Sequence, residues 1–205
     1  MFFALDFDVN GDRTVSDVIN DKAIVLFESD DVRTTVKIDG TAMKLFEDGR
    51  WFARRNVKRG KNAPVGFILE EEDTNTGNRF GWEPVESSGF YKFFKRAIAN
   101  YSGEPTPGTY ELIGPKIQGN PERVETDMLI PHGSTSPQDK GFDFPSLAEI
   151  EESVKNGTAK EFLTPYFETF RENSIEGVVW WIGNEPRVKL RCVDFFPEMD
   201  SRNTR

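Results

Sequence analysis

The chain has 205 residues, a length that suits one domain, and its formal net charge is −9 at pH 7. Hydrophobic residues make up 37% of the sequence and aromatic residues 13%, which is enough apolar mass for a folded core and excludes wholesale disorder. The negative charge argues against a protein that coats nucleic acid with its whole surface. The single cysteine, Cys192, excludes an intramolecular disulfide and a zinc site built from several thiols.

The first third of the chain predicts strands over residues 23–27, 34–38, 42–46 and 50–54. Asp48-Gly49 is the expected hairpin turn between the last two strands. An antiparallel β core follows from this pattern.

Residues 87–100 place apolar side chains at helical spacing, with Lys92, Lys95 and Arg96 on the other side, and predict an amphipathic helix. A strand is expected over 109–113.

Ser146 and Glu149 form a capping-box pattern before a helix that Gly157 ends, and residues 162–172 predict a second helix. The last third predicts two β-rich runs, 176–182 and 187–195. Strands and helices are mixed without the regular alternation of a doubly wound sheet. We therefore expect an α+β fold with antiparallel sheets flanked by helices.

The absence of a recognisable secretion signal, together with the single cysteine, predicts an intracellular protein in a reducing compartment, cytoplasm or nucleus, of cellular or viral origin. No stretch approaches the roughly 20 apolar residues of a membrane span. The single histidine, His132, excludes a site with several histidines and lies in a segment typical of a loop. A Cys/His or Ser/His/Asp arrangement around it stays open.

Six cations and no acid lie between residues 50 and 61; they are Arg50, Arg54, Arg55, Lys58, Arg59 and Lys61. The simplest interpretation is a solvated face that the acids of residues 70–73 balance. The alternative is contact with a short run of nucleic-acid backbone.

A lysine stands at a strand end just before a turn in Lys37-Ile-Asp39-Gly40. Further segments follow it in order: Arg54-Arg55, Tyr110-Glu111-Leu-Ile-Gly114, Glu176-Gly177-Val-Val and Lys189-Leu-Arg191. Each segment alone suits an ordinary turn or a solvated strand face, but their joint order favours a shared site. Strand alternation places Lys189 and Arg191 on one face.

In these segments the chain resembles the covalent nucleotidyltransferase superfamily of polynucleotide ligases and mRNA capping enzymes, most closely its RNA ligases. They are similar, in order, to motifs I, Ia, III, IV and V of that superfamily. The resemblance implies the nucleotidyltransferase, ATP-grasp-like fold, with residues 1–205 as one adenylyltransferase domain. Only fourteen residues follow Arg191, so we expect no OB-fold domain.

The resemblance implies that Lys37 attacks the α-phosphate of ATP, releases pyrophosphate and carries AMP. It makes Lys189 and Arg191 catalytic, because they would hold the α-phosphate. The implied nucleotide-binding residues are Val36, Lys37, Arg54, Glu111, Lys189 and Arg191. The implied ligands of Mg²⁺ or Mn²⁺ are Asp39, Glu111 and Glu176.

The resemblance also implies that a 5′-phosphate RNA end is joined to a 3′-OH RNA end. The concentrated basic strand predicts that Arg55, Lys58 and Arg59 contact the RNA backbone. We expect a monomer, and the oligomeric state stays open. Several alternatives stay open: a minimal DNA ligase, an mRNA guanylyltransferase-like enzyme, and a non-catalytic nucleotide- or RNA-binding module. It also stays open whether the substrate is a nicked duplex or a single-stranded RNA end, and whether His132 contacts the nucleotide. Either Arg54 or Arg55 is the motif Ia arginine.

Overall fold

The computed structural model describes residues 1–7 and 13–199. In chain order the strands are β1 (Phe3–Phe7), β2 (Arg13–Ile19), β3 (Val32–Lys37), β4 (Thr41–Leu45), β5 (Trp51–Val57), β6 (Ile68–Glu72), β7 (Arg79–Pro84), β8 (Gly108–Ile113), β9 (Met128–Pro131), β10 (Gly177–Ile182) and β11 (Glu185–Arg191). The α-helices are α1 (Tyr91–Ala99), α2 (Leu147–Lys155), α3 (Ala159–Glu172) and α4 (Cys192–Phe195). Short 3-10 helices cover Asp21–Leu26, Val85–Ser87, Gln138–Lys140 and Pro197–Met199.

The described strands pair antiparallel, which confirms the α+β class with antiparallel sheets. The chain divides into two compact units, Met1–Ile38 with Gly133–Arg205, and Asp39–His132. The narrower nucleotidyltransferase fold and the single adenylyltransferase domain stay predictions.

The first unit contains a three-stranded sheet in the order β11-β10-β3, the β1-β2 hairpin, and helices α2, α3 and α4. Its core is aromatic: Trp180, Phe2, Phe167 and Phe170 are almost completely buried. Burial of side chains of this size supplies most of the driving force for folding in this unit.

The second unit contains a six-stranded sheet in the order β6-β7-β5-β4-β8-β9 and helix α1. Phe93, Phe94 and Ala97 are the buried positions of α1, and they belong to the same core cluster as Met43 and Tyr110 of the sheet. One face of this sheet is therefore core, and the alternate residues of each strand point to the other face.

The predicted strand over residues 23–27 is wrong, because this segment lies in the 3-10 helix Asp21–Leu26. Asn20 caps the helix by accepting a hydrogen bond from the backbone N–H of Lys22 at 3.0 Å. Ala23 and Leu26 are buried three residues apart, a spacing that a 3-10 turn brings to one side.

The predicted β-run over 187–195 is wrong at its end, because the chain turns into α4 after Arg191. The expected strands at 34–38, 42–46, 50–54, 109–113 and 176–182 are confirmed within a few residues, as are helices α1, α2 and α3. Ser146 caps α2 in a capping box with Glu149, as predicted, and Gly157 follows it with φ of +67°.

Candidate functional site

One face of the three-stranded sheet in the first unit carries the three predicted catalytic residues. Gly177 of β10 pairs with Lys37 of β3 on one side and with Arg191 of β11 on the other. Val179, two residues on, pairs with Lys189. Side chains two apart on a strand, and side chains directly opposite each other on neighbouring strands, point to the same face. Lys37, Lys189 and Arg191 therefore project from one face of this sheet.

The other face of the same sheet is the core. Val178 and Leu190 are fully buried, and Val36 is buried opposite Val178. The N–H of Val36 donates to the carbonyl oxygen of Thr135 at 2.9 Å. The structure thus places Val36, which we predicted to bind nucleotide, on the face opposite Lys37.

Glu176 stands directly before β10, and its carboxylate forms an ion pair and hydrogen bond with the Nζ of Lys37. The two side chains are 24% and 26% exposed, so the pair lies at the surface of the unit and remains accessible to a ligand. The predicted nucleophile and the predicted metal ligand of motif IV are therefore in direct contact.

A close approach of the backbones explains the glycine after Glu176. A Cβ on Gly177 would lie 2.1 Å from the carbonyl oxygen of Leu190 and 2.7 Å from the Cα of Arg191. No larger residue fits without moving β11, since backbone cannot yield as a flexible side chain does. Gly177 thereby permits the close approach of β10, which Glu176 precedes, to β11, which ends at Arg191.

The Arg191 side chain is held by a carboxylate that the sequence analysis missed. Asp194, in the first turn of α4, accepts from Nε of Arg191 at 3.3 Å and from its Nη2 at 2.8 Å. It also accepts from the backbone N–H of Arg191 at 2.8 Å. The Asp194 side chain is only 6% exposed.

Lys189 has no carboxylate at ion-pair distance among the described residues, in contrast to Lys37 and Arg191. Although the residue is exposed, the pKa of its ammonium group is lowered. Partial desolvation is the largest cause, and the positive charges of Lys37 and Arg191 add to it. An anion bound on this face would relieve that repulsion.

In the second unit, the strand register decides which of the two adjacent arginines shares a face with Glu111. Ala42 of β4 pairs with Glu111 of β8, and Lys44 pairs with Phe52 of β5. Arg54 is two residues beyond Phe52 and lies on that face, whereas Arg55 points to the opposite one. The structure thus places Arg54, and not Arg55, on the Glu111 face.

Arg54 is enclosed by polar and aromatic groups. Its guanidinium forms an ion pair with Glu70 and lies over the Trp82 ring, 5.2 Å from the centroid. The indole N–H of Trp82 donates to the other oxygen of Glu70 at 3.0 Å. Burial raises the pKa of Glu70, but the hydrogen bonds from Trp82 and Arg54 outweigh it, and the net pKa is lowered.

Glu111 is mostly buried and has a histidine partner. The Nε2 of His132 lies 2.6 Å from the Oε2 of Glu111, and the backbone N–H of His132 donates to the carbonyl oxygen of Thr109 at 3.0 Å. The structure thus joins the predicted motif III acid to the single histidine of the chain.

The glycine of Lys37-Ile-Asp39-Gly40 is also required by a close approach. A Cβ on Gly40 would lie 2.4 Å from the carbonyl oxygen of Leu112. The neighbouring N–H of Asp39 donates to Glu122 at 3.4 Å. The motif glycine therefore serves the packing of β4 against β8.

No group of three or more His, Cys, Asp or Glu side chains that could hold a metal ion is found within residues 1–7 and 13–199. Mg²⁺ takes one or two carboxylates and completes its shell with water and substrate phosphates. Asp39, Glu111 and Glu176 stay predicted ligands of that kind.

The basic segment divides into paired and unpaired cations. Arg54 pairs with Glu70, and Arg55 lies 3.8 Å from Glu83. Lys58 and Arg59 are exposed and form no ion pair with the part of the chain that the structure describes. They remain available to an external anion.

Cys192 is buried, and desolvation raises the pKa of its thiol to about 12. Because the thiolate is the reactive form, this cysteine is unsuited to nucleophilic catalysis. A Cys/His arrangement is thereby removed from the open alternatives.

Local sequence patterns do not identify Glu70, Trp82 or Asp194 as site residues. Glu70 stands in a run of four acids, which by itself indicates only a solvated face. Asp194 lies three residues after Arg191, a helical spacing that becomes informative only once a helix is known to begin there.

The chain is similar to RNA ligase 1 of Mus musculus, with 24% identity over 169 residues that cover 68% of this chain and 45% of the mouse protein. The chain thus spans less than half the length of that curated relative. No family model matches it. The similarity indicates a distant relation to an RNA ligase.

None of the helices within the described ranges has the length and apolar character that a membrane crossing requires.

Proposed function

We propose that this chain is an ATP-dependent RNA ligase that works through a lysyl-AMP intermediate. The observation that carries the proposal is the single face of the β11-β10-β3 sheet from which Lys37, Lys189 and Arg191 project, with Glu176 in contact with Lys37. The distant relation to an RNA ligase supports the same activity.

In the first step the Nζ of Lys37 attacks the α-phosphorus of ATP. A P–N bond forms, the bond between the α-phosphorus and the bridging oxygen breaks, and pyrophosphate leaves. The amine must lose its proton for this attack, and Glu176 is the carboxylate in place to receive it. Lys189 and Arg191 would hold the α-phosphate oxygens and stabilise the charge that develops on them.

A divalent cation, Mg²⁺ or Mn²⁺, would neutralise phosphate charge and polarise the α-phosphate when bound. Glu176 is the candidate ligand in the first unit, and Asp39 and Glu111 are the candidates in the second. Carboxylate oxygens are the ligands that such a cation prefers.

In the second step the 5′-phosphate of an RNA end attacks the lysyl-AMP, so that a P–O bond forms and the P–N bond to Lys37 breaks. In the third step a 3′-OH attacks the adenylylated 5′-phosphate, a phosphodiester forms and AMP leaves. Arg55, Lys58 and Arg59 would contact the RNA backbone. Discrimination of RNA from DNA would come from contacts to 2′-hydroxyl groups.

The first test is covalent labelling with ATP radioactive at the α-phosphate, in the presence of Mg²⁺ or Mn²⁺. We expect label that survives denaturation, and a mass increase of one AMP on the peptide that contains Lys37. Lys37→Ala and Lys37→Arg should both abolish it, since a guanidinium stays protonated. Lys155→Ala, an exposed lysine of α2 that is paired with Glu151, is the control and should retain labelling.

Labelling of Lys37→Ala at the wild-type level contradicts the assignment of the nucleophile. A wild-type protein that binds ATP without labelling contradicts the enzyme and favours a binding module.

A second test presents 5′-phosphorylated RNA and DNA strands, free and splinted, to the adenylylated protein. We expect sealing of RNA ends, and much slower sealing when the nucleotides on the 3′-OH side are deoxy. Equal rates on all-DNA nicks would replace the RNA ligase by a minimal DNA ligase and leave the lysyl-AMP chemistry in place.

A further inference from the structure

We propose that Asp194 is a positioning residue for nucleotidyl transfer, which orients the Arg191 guanidinium toward the phosphate on the Lys37 face. This inference rests on the proposed function and deepens it. The Asp194 side chain is almost completely buried, so it would not contact the substrate itself. Its action is exerted through Arg191.

The Asp194 carboxylate contacts the Arg191 guanidinium at two points. One carboxylate oxygen of Asp194 lies 2.8 Å from Nη2 of Arg191, and the other lies 3.3 Å from Nε. A guanidinium has several N–H donors in one rigid plane, so two contacts on one edge fix the direction of the remaining N–H groups. Those remaining groups, chiefly on Nη1, are the ones left for a phosphate.

Helix α4, which carries Asp194, is fixed in place by contacts with neighbouring segments. The Phe195 ring, next to Asp194, stacks on Phe167 of α3 with a centroid distance of 4.2 Å. The backbone N–H of Cys192 donates to the carbonyl oxygen of Glu176 at 2.8 Å. The hydroxyl of Thr14 donates to the carbonyl oxygen of Asp194 at 3.3 Å. The short helix α4 is therefore held at both ends and from β2.

Comparison with α2 separates this role from ordinary helix capping. Glu149 occupies the same position in α2, and one oxygen of its carboxylate accepts from the backbone N–H of Ser146 at 2.8 Å and from the hydroxyl of Ser146 at 2.7 Å. Asp194 makes the equivalent bond to the backbone N–H of Arg191, but both of its oxygens bind the guanidinium of that residue. Two oxygens on two nitrogens of a cation exceed what a cap requires.

Asp194 is more deeply buried than Arg191. The Asp194 side chain is 6% exposed and that of Arg191 is 25% exposed. The carboxylate is therefore withdrawn from solvent, whereas the arginine side chain stays partly accessible. Charge-assisted pairs with this geometry hold a side chain in one rotamer more firmly than exposed pairs do. Orientation before the substrate arrives is what a transition-state contact requires.

The test is Asp194→Asn, compared with Glu149→Gln as the matched capping control. An amide has a single acceptor oxygen, so it cannot accept from Nε and Nη2 of Arg191 with two separate oxygens, although its volume is nearly unchanged. We expect the single-turnover rate of Lys37 adenylylation to fall about tenfold to a hundredfold in Asp194→Asn. The dissociation constant of ATP should change far less, and Glu149→Gln should keep the wild-type rate.

A double-mutant cycle separates positioning from a general loss of structure. In an Arg191→Ala background, Asp194→Asn should cause no further loss of rate, because the residue acts through a side chain that is no longer present. A folding defect would instead lower the rate in both backgrounds and move the melting temperature beyond that of Glu149→Gln.

A wild-type rate in Asp194→Asn, or an equal loss in the Arg191→Ala background, overturns the positioning role while Lys37 labelling of the wild type still stands. Absence of Lys37 labelling in the wild-type protein overturns the proposed function and this role together.

Discussion

The Nε2 of His132 lies 2.6 Å from the Oε2 of Glu111, on the sheet face that also carries Arg54. Glu111 is 8% exposed, so its carboxylate has little water to replace a lost partner. The single histidine of the chain thus orients the predicted motif III acid.

We expect His132→Ala to weaken ATP binding about tenfold or more, because a hydrogen bond to a mostly buried charged group is lost. The ATP concentration dependence of adenylylation measures this. His132→Gln keeps a side-chain N–H donor and is the conservative control, which should recover part of the affinity. Equal ATP affinity in the wild type and in His132→Ala would contradict the orienting role.

Arg54 and Arg55 are adjacent, but they point to opposite faces of the same sheet. Arg54→Ala should slow adenylylation by about tenfold to a hundredfold, since it removes a phosphate-binding cation from the Glu111 face. Arg55→Ala is the matched control and should adenylylate at close to the wild-type rate. Single-turnover labelling of the two variants is the measurement, and the reverse order of effects would place the motif Ia arginine at residue 55.

The protonation of Lys189 should determine how the affinity for nucleotide falls at alkaline pH. Its lowered pKa means that it loses its proton, and its charge, at a lower pH than an ordinary lysine. The affinity for a non-reactive ATP analogue should therefore fall as pH rises toward 10.5, the ordinary value of a lysine. Calorimetric titration over an alkaline pH series measures this fall.

Lys189→Arg keeps the positive charge throughout that range and should move the fall to higher pH. Arg187→Lys, a change on the same strand in a residue paired with Glu185, is the control and should leave the profile in place. A pH profile that is identical in Lys189→Arg and in the wild type would remove Lys189 from the phosphate site.

The unpaired cations of the basic segment should serve RNA and not ATP. The double variant Lys58→Glu, Arg59→Glu should impair sealing of RNA ends and leave Lys37 adenylylation near the wild-type rate, because ATP loading needs no polynucleotide. The salt dependence of RNA binding should become shallower, since fewer counterions are released.

Lys92→Glu, Lys95→Glu on α1 is the matched double reversal, because both residues are exposed in the same unit. Sealing should be close to normal in that variant. A larger loss of sealing on α1 than at residues 58 and 59 would move the RNA contact to the helix.

The local sequence determined much of the secondary structure. Apolar side chains spaced two residues apart are brought to one face by a strand, and those spaced 3.6 residues apart are brought to one face by a helix. It failed at residues 23–27, where the β-branched Ile24 and Val25 are typical of a strand. The cap from Asn20 and the burial of Ala23 and Leu26 favoured a 3-10 turn instead.

The composition of the first-unit face was also predictable from sequence. Lys189 and Arg191 are two residues apart on a strand, and alternation alone places them together. That Lys37 joins them required the pairing of β3 and β11 with opposite sides of β10, which residues far apart in the chain establish.

Only the tertiary structure decided which arginine shares a face with Glu111. It also decided which carboxylates pair with Arg54 and Arg191. Arg54 and Arg55 have the same local surroundings in the sequence, and their difference arises from the register of β5 against β4 and of β4 against β8. Asp194 becomes a partner of Arg191 because the strand ends there and a helical turn begins. Pairing register and chain reversal depend on contacts between distant segments, and a local pattern carries no information about them.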